Sequence, residues 1–168
     1  MSANKIPAGI RDGIALHRQT YLRSGGTQGH IVDGRPAGGR FFATNCMIKY
    51  RGRKSGKTMI TPLSYAHIGG EVVIVASKGG SDNHPDWYLN IRESKEIAFQ
   101  VGTQAFRATW REPAGAEREK IWAFMADCYP FYAKYQASTS RVIPLVMMKP
   151  TEEIPVFKES DIDAASSG

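Results

Sequence analysis

The amino-acid sequence predicts a mostly β protein of the α+β class, built on an antiparallel barrel or sandwich. Runs rich in β-branched and aromatic residues occur at residues 41–51, 59–67 and 71–77. A tight turn at Gly69-Gly70 joins two of these runs. Helical patterns interrupt the series of strands only twice, and short turns between neighbouring strands favour antiparallel pairing over a parallel sheet.

Two segments precede the first predicted strand. In residues 8–23, Ile10, Ile14 and Tyr21 recur at helical spacing, which predicts an amphipathic helix. Residues 24–40 contain six glycines and predict a loop. The helix also carries basic side chains, so a peripheral membrane contact is an alternative to packing on the domain.

Further strands and helices complete the pattern. Residues 96–101 and 105–111 predict a second hairpin. Helices are predicted at residues 84–92, 114–127 and 130–136, and a proline lies at the start of the first and the last. Prolines also punctuate an extended region near the C-terminus.

The length of the chain suits a single domain with its own core. We divide its 168 residues into an N-terminal helix and loop (1–40), a barrel domain (41–158) and a disordered tail (159–168). Cys46 and Cys128 match neither a disulfide framework nor a metal-binding spacing. No apolar run approaches the ~20 residues of a membrane span, and the N-terminus lacks the apolar core of a signal peptide. We therefore expect a cytoplasmic protein without a metal.

A block of positive charge marks the first hairpin. The formal net charge is +6, and no acidic residue lies between Asp33 and Glu71. Such a block attracts anions, although a solvated surface or loose nucleic-acid affinity is also consistent with it. Tyr50 is the only aromatic residue within the basic run 49–57, which argues against specific nucleic-acid binding.

The segment 52–58 has the composition of a P-loop but not its spacing. A P-loop needs four residues between its glycines, whereas three separate Gly52 from Gly56. A strand pattern follows at residues 59–63, in place of the helix whose N-terminus supports a nucleotide phosphate. These departures argue against nucleotide hydrolysis.

Two elements with the chemistry of an anion site remain. Lys54 lies in the turn of the first hairpin, between glycines whose amides can approach an anion closely. Ser77, Lys78 and Gly79 follow the central strand and offer a hydroxyl, a charge and bare amides. The helix predicted near Pro85 adds a dipole that favours negative charge. Together these features predict a phosphate site.

Six motifs stand in a fixed order between about residues 48 and 150. They are Gly52-Arg-Lys-Ser-Gly-Lys-Thr, Thr61-Pro62-Leu63, Val75-Ala-Ser-Lys-Gly-Gly80, Pro85-Asp-Trp-Tyr-Leu-Asn-Ile91, Tyr129-Pro130-Phe-Tyr132-Ala-Lys-Tyr135-Gln136 and Arg141-Val-Ile-Pro144. In this order they resemble the deazaflavin-dependent nitroreductases, which are also called deazaflavin-dependent quinone reductases. The resemblance implies an antiparallel split β-barrel like that of FMN-binding proteins.

The resemblance also implies an activity. It implies binding of reduced coenzyme F420, a deazaflavin, and hydride transfer from it to a small-molecule acceptor. The acceptor would be a quinone, a nitroaromatic compound or an activated alkene such as an enone. Two alternatives are a flavin reductase or oxidase of the same fold that uses FMN, and a deazaflavin-binding protein without enzymatic activity.

The same resemblance assigns the cofactor-binding residues. The set is Lys54, Ser55, Gly56, Thr61, Pro62, Ala76, Ser77, Lys78, Gly79, Trp87 and Asn90. Its basic and glycine-containing members are expected at the phosphate and acidic tail, and Thr61 and Pro62 along the ring. Pro62 also predicts an edge strand or a bulge, because proline cannot donate to a ladder. Family members often carry arginine where this chain has Met59; the two alternatives are weaker binding of the acidic tail and substitution of the charge by Lys57.

Three tyrosines carry the catalytic hypothesis. Tyr132 and Tyr135 are three residues apart on one predicted helix, Tyr129 lies at its entry, and by resemblance all face the substrate. Hydride addition leaves negative charge on the acceptor. A phenol with an ordinary pKa of ~10 is protonated at neutral pH and can donate to that charge. Tyrosines that line a lid, with solvent as the proton source, are the alternative.

Overall fold

A computed structural model describes residues 8–163 of the chain, with side chains from residue 12 onward. Its strands are β1 (Ile31–Asp33), β2 (Phe42–Arg51), β3 (Thr58–Ser64), β4 (Ala66–Ile68), β5 (Glu71–Val75), β6 (Ile97–Val101), β7 (Gln104–Arg111) and β8 (Leu145–Ile154). Its helices are α1 (Ala8–Arg23), α2 (Asp86–Ser94), α3 (Gly115–Cys128) and α4 (Phe131–Ala137).

The strands form one antiparallel sheet that curls into a half-barrel. Their order is β1–β2–β6–β7–β8–β5–β4, and β3 pairs with β2 outside this path. This arrangement confirms the antiparallel split β-barrel. Pro62 lies in β3, which pairs along one side only, so its predicted edge position is confirmed as well.

Several predicted elements differ from the structure in detail. The segment predicted as a loop over 24–40 contains β1, which pairs with the start of β2. The strand predicted over 59–67 is two strands that flank Tyr65. In the segment predicted as a disordered tail, residues up to Asp163 are ordered, because the Asp163 backbone N–H donates to the Thr58 carbonyl (3.3 Å). Residues 164–168 lie outside the described part.

Alternation along the strands divides the buried side chains between two faces of the sheet. In β5, Val72 and Ile74 belong to a cluster that packs against α2, which contributes Trp87. Val73 and Val75 belong to a second cluster beneath α3 and α4. The two sides of one strand therefore support different helices.

Helix α1 is attached to the barrel through Tyr21. The side chain is fully buried, and its hydroxyl accepts a hydrogen bond from the Gly102 amide (2.8 Å). The same hydroxyl can donate to the carbonyl of Asn45 (3.2 Å) or of Gln100 (3.3 Å). The phenol thus joins α1 to two barrel strands and the turn that follows one of them.

The rest of α1 is more open. Ile14 and Leu16 are 40% and 63% exposed, so these apolar side chains do not pack into the core. Within residues 8–163, no helix is long and apolar enough to cross a membrane. A peripheral contact through α1 stays a prediction.

We expect Tyr21→Phe to lower the free energy of unfolding by roughly 1–3 kcal/mol, because the Gly102 amide loses its acceptor. Urea unfolding followed by tryptophan fluorescence measures this loss. Tyr135→Phe is the matched control. The Tyr135 side chain is half-buried, and the raised pKa of its phenol has burial as its cause. A similar loss in both variants would contradict the anchoring role of Tyr21.

Candidate functional site

Residues 51–57, called the 51–57 loop below, are the last residue of β2 and the hairpin connection to β3. The Gly52 amide donates to the Lys57 carbonyl (2.8 Å) and the Gly56 amide to the Gly52 carbonyl (2.9 Å), which closes the loop. Gly56 has a φ of 68°, a left-handed conformation that favours glycine. Lys54 is exposed at the tip, so its ammonium group is accessible to an anion.

Arg53 and Asn90 tie this loop to α2. The Arg53 amide (3.0 Å) and its Nη1 (2.8 Å) both donate to Oδ1 of Asn90. Nη2 of Arg53 also lies 3.6 Å from a carboxylate oxygen of Asp86, the first residue of α2. Asn90 is buried, and its side-chain oxygen is therefore occupied by the loop.

The second predicted anion element is a short turn at residues 77–80. Ser77 is right-handed (φ −83°, ψ −37°), whereas Lys78, Gly79 and Gly80 have φ values of 46°, 63° and 83°. A right-handed residue followed by a left-handed one turns successive N–H groups toward a common point, where an anion can bind. Lys78 is not a glycine, so its conformation costs roughly 1–2 kcal/mol that the surroundings must offset.

The turn packs directly on α4. A Cβ atom on Gly80 would lie 2.8 Å from the Tyr135 carbonyl oxygen and 2.9 Å from the Tyr135 Cα. The Ser138 hydroxyl lies 2.9 Å from the Gly80 carbonyl oxygen, to which it can donate. The predicted phosphate turn and the predicted tyrosine helix are therefore in contact, which the sequence did not indicate.

Both anion elements adjoin the N-terminus of α2. Arg53 brings the 51–57 loop to Asp86, and the 77–80 turn runs into α2 through a short linker that ends at Pro85. The N-terminus of a helix favours negative charge, because its first amides lack partners within the helix. The first predicted element is therefore linked to α2 by side-chain contacts, and the second by the chain itself.

Of the two residues predicted along the ring, Thr61 adjoins a buried cluster that contains two other members of the predicted cofactor set. Ala76 and Trp87 are buried together with Tyr50. The Thr61 hydroxyl lies 2.7 Å from the Tyr50 hydroxyl, which places it at the same face of the sheet. The structure therefore assembles a wall from β2, β3, the end of β5 and α2.

Tyr129 is held by the backbone. Its hydroxyl lies 2.5 Å from the Tyr65 carbonyl oxygen, to which it donates, and 2.9 Å from the Thr44 hydroxyl. Burial raises the pKa of the Tyr129 phenol. Its proton is therefore already engaged.

Tyr132 and Tyr135 stand together on α4, with ring centroids 6.2 Å apart. Tyr132 is 5% exposed, whereas Tyr135 is half-buried. Burial raises the pKa of both phenols, and a hydrogen bond with the Ser64 side chain opposes the rise at Tyr132. Both phenols are therefore protonated at neutral pH and can act as donors.

Two open concavities border β3. One, of about 780 Å³, runs between α1 and β3 and is lined by Ser55, Thr61 and Met59. The other, of about 930 Å³, includes Lys49 and Arg107 on the sheet. The 77–80 turn and the tyrosines line neither, so the predicted residues adjoin one another without enclosing a single cavity.

Arg141 is the polar residue at the site that sequence reasoning did not assign. Its guanidinium lies 2.7 Å from the Ser77 carbonyl oxygen, although the two residues are 64 positions apart. Arg141 belongs to one of the ordered motifs, and this is the one signal in the sequence that points to it.

Comparison with known proteins gives relatives that cover most of the chain. The family model for F420H(2)-dependent quinone reductases matches residues 15–150. An F420H(2)-dependent quinone reductase of Mycobacterium tuberculosis (strain H37Rv) is 30% identical over 138 residues. These residues are 80% of this chain and 88% of the relative.

Two solved structures agree with this match. An F420-H2 dependent reductase is 37% identical, with a TM-score of 0.58, and the likeness covers 62% of this chain and 93% of that protein. A domain-swapped dimer is 33% identical, with a TM-score of 0.60, and the likeness covers 83% of this chain and 99% of that one. Sequence and fold therefore point to the same family.

We expect Gly80→Ala to destabilise the protein more than Gly79→Ala. Both glycines have positive φ, so alanine costs each roughly 1 kcal/mol in backbone strain. A Cβ on Gly80 would also meet the backbone of Tyr135, whereas Gly79 faces open space. Urea unfolding should show an additional loss of about 1–3 kcal/mol for Gly80→Ala. Equal losses would contradict the close contact between the turn and α4.

Proposed function

The chain belongs to the F420H(2)-dependent quinone reductase family, and on this basis we propose that it transfers a hydride from reduced coenzyme F420 to a small organic acceptor. The family match over residues 15–150 is the observation that carries the proposal. A quinone is the first acceptor to test, because the curated relative is a quinone reductase. Nitroaromatic compounds and enones are further candidates, since they also accept a hydride.

The residues present suit the anionic end of this cofactor. F420 carries a phosphodiester and several carboxylates, and these groups need more than one positive partner. The right-handed and then left-handed backbone at Ser77 and Lys78 is the kind that directs successive amides to one anion, and Lys78 and Lys54 add two cations. We assign the phosphodiester to the turn, and the carboxylates to the side of the 51–57 loop with Lys54 and Ser55.

The FMN alternative differs in charge. FMN also carries a phosphate, so the turn alone does not distinguish the two cofactors. The basic 51–57 loop offers more positive charge than one phosphate needs, which favours a ligand with an extended acidic tail. Family membership points the same way.

Reduced F420 supplies the hydride when it is bound. This chain's part is to hold the ring against Thr61, Pro62, Ala76 and Trp87, with the amide nitrogen of Asn90 left to face the groove. Three of these residues adjoin the buried cluster around Tyr50, which supports a rigid wall. A rigid wall orients the donor and excludes water from its face.

We assign proton donation to Tyr132. A hydride added to a quinone leaves negative charge on oxygen, and a protonated phenol next to it stabilises that charge. Burial keeps Tyr132 protonated, so its phenol can act as a donor. Tyr135 stands beside it as a second donor. Tyr129 is assigned to positioning, since its hydroxyl binds the Tyr65 carbonyl.

We expect the purified protein to bind F420 with tryptophan quenching, and to reduce menadione when F420H2 is supplied. Oxidation of F420H2 is followed through the recovery of its absorbance. FMN titrated in the same way is the control, and it should bind at least about tenfold more weakly. Tight FMN binding without F420 binding would replace the proposal with a flavin enzyme. F420 binding without turnover of any acceptor would indicate a carrier.

We expect Tyr132→Phe to lower kcat by about 10–100-fold while the Kd for F420 changes by less than about threefold, because a proton donor acts in the transition state. Steady-state rates and fluorescence titrations measure the two quantities. Tyr88→Phe is the control, since it removes another buried phenol, whose partner is Glu112. An unchanged kcat in Tyr132→Phe would remove this tyrosine from the mechanism.

A further inference from the structure

A single side chain donates hydrogen bonds to three carbonyl groups in and next to the 77–80 turn. Nε of Arg141 donates to the Ser81 carbonyl (2.7 Å), and Nη2 donates to the Ser77 carbonyl (2.7 Å). Nη1 reaches the Ala76 carbonyl at 3.2 Å. Arg141 therefore holds the chain both where it enters the turn and where it leaves.

This arrangement determines which polar groups the turn presents to a ligand. With the Ser77 carbonyl turned to the guanidinium and the Gly80 amide bonded within the turn, the amides of Lys78 and Gly79 are the ones left for a ligand. The contacts also offset the cost of the left-handed conformation at Lys78. An arginine suits this task because its rigid fork donates in several fixed directions, whereas a lysine donates from one atom.

The position of Arg141 is itself set by the end of α4. The Arg141 carbonyl accepts a hydrogen bond from Nε2 of Gln136 (2.7 Å), and its amide donates to the Thr139 hydroxyl (3.3 Å). Thr139 in turn donates to Asp82, just beyond the turn (2.8 Å). The segment after the tyrosine helix and the turn are therefore connected through several bonds.

The charge of Arg141 is not cancelled by direct contact. Among residues 8–163, no carboxylate lies within ion-pair distance of its guanidinium, whose remaining contact is Nδ1 of His84 (3.2 Å). Because arginine can only donate, Nδ1 of His84 must accept, so the imidazole is neutral. Burial and the nearby Arg141 charge lower the pKa of His84, which agrees with this state. The positive charge behind the turn thus adds to its attraction for an anion.

We propose that Arg141 is a positioning residue that shapes the 77–80 turn for the cofactor phosphate, from behind and without contact with the reacting ring. The proposal rests on the assignment of the phosphodiester to this turn. It predicts that a change at Arg141 lowers the affinity only for ligands that carry the phosphate. If Arg141 were needed only for folding, its replacement would weaken the binding of all ligands alike.

The test compares two ligands on two variants. The Kd values are measured by fluorescence for F420 and for the truncated deazaflavin that ends before the phosphate. In Arg141→Lys, F420 affinity should fall roughly tenfold or more, as expected when two or more hydrogen bonds to carbonyls are lost. Affinity for the truncated ligand should change by less than about threefold. Arg107→Lys, in which an arginine paired with Glu152 on the sheet is changed, should alter neither.

A second measurement does not need the cofactor. Hydrogen exchange of the Gly80 and Ser81 amides, which donate within the turn, should be faster in Arg141→Lys than in the unchanged protein. Equal losses for both ligands, or unchanged exchange at these amides, would overturn the proposal. If the unchanged protein bound neither deazaflavin, the proposed function would fail, and the exchange rates would still decide the role of Arg141.

Discussion

The 77–80 turn can offer amides to a ligand on one side only if its carbonyls find hydrogen-bond donors on the other. The residues packed around the turn supply these donors. Amides offered to an anion are available only if the carbonyls of the same segment find donors elsewhere, since a buried carbonyl without a partner costs about 1–3 kcal/mol. Arg141 supplies donors at both ends of the turn, and Ser138 is placed to serve the Gly80 carbonyl. Gly80 lets α4 come close enough for this, because a Cβ there would collide with its backbone.

The position of the turn at the end of β5 has a further consequence. Alternate side chains of β5 pack against α2 on one face of the sheet and beneath α3 and α4 on the other. Elements on opposite faces of a strand are kept apart along its length and can meet where it ends. The 77–80 turn is such a place, and there the wall formed with α2 adjoins the tyrosines of α4. The split barrel thus brings the residues that we propose for the cofactor and the acceptor together without enclosing them.

Hydrogen-bond partners distinguish three chemically identical phenols. Tyr129 donates to the Tyr65 carbonyl, so its proton already takes part in a hydrogen bond within the fold. Tyr132 is buried beside Ser64, and Tyr135 is half-buried next to it. Since burial disfavours the phenolate, all three stay protonated, and the hydrogen-bond partners decide which proton is available. The spacing of the tyrosines along the chain contains no information on those partners.

The sequence by itself determined the α+β class, the helices and most of the strands within a few residues, the edge position of Pro62 and the identity of the basic and glycine-rich segments. Alternation, helical period and turn glycines are local properties, so they can be read from neighbouring residues. The family followed from ordered motifs for the same reason. Tertiary structure decided the rest. The side-chain oxygen of Asn90 accepts from Arg53, Tyr129 donates to a backbone carbonyl, and Arg141 donates to the Ser77 carbonyl 64 residues away. Each of these is a hydrogen bond between groups that folding alone brings within 3 Å, and no local pattern specifies which distant carbonyl a side chain will reach.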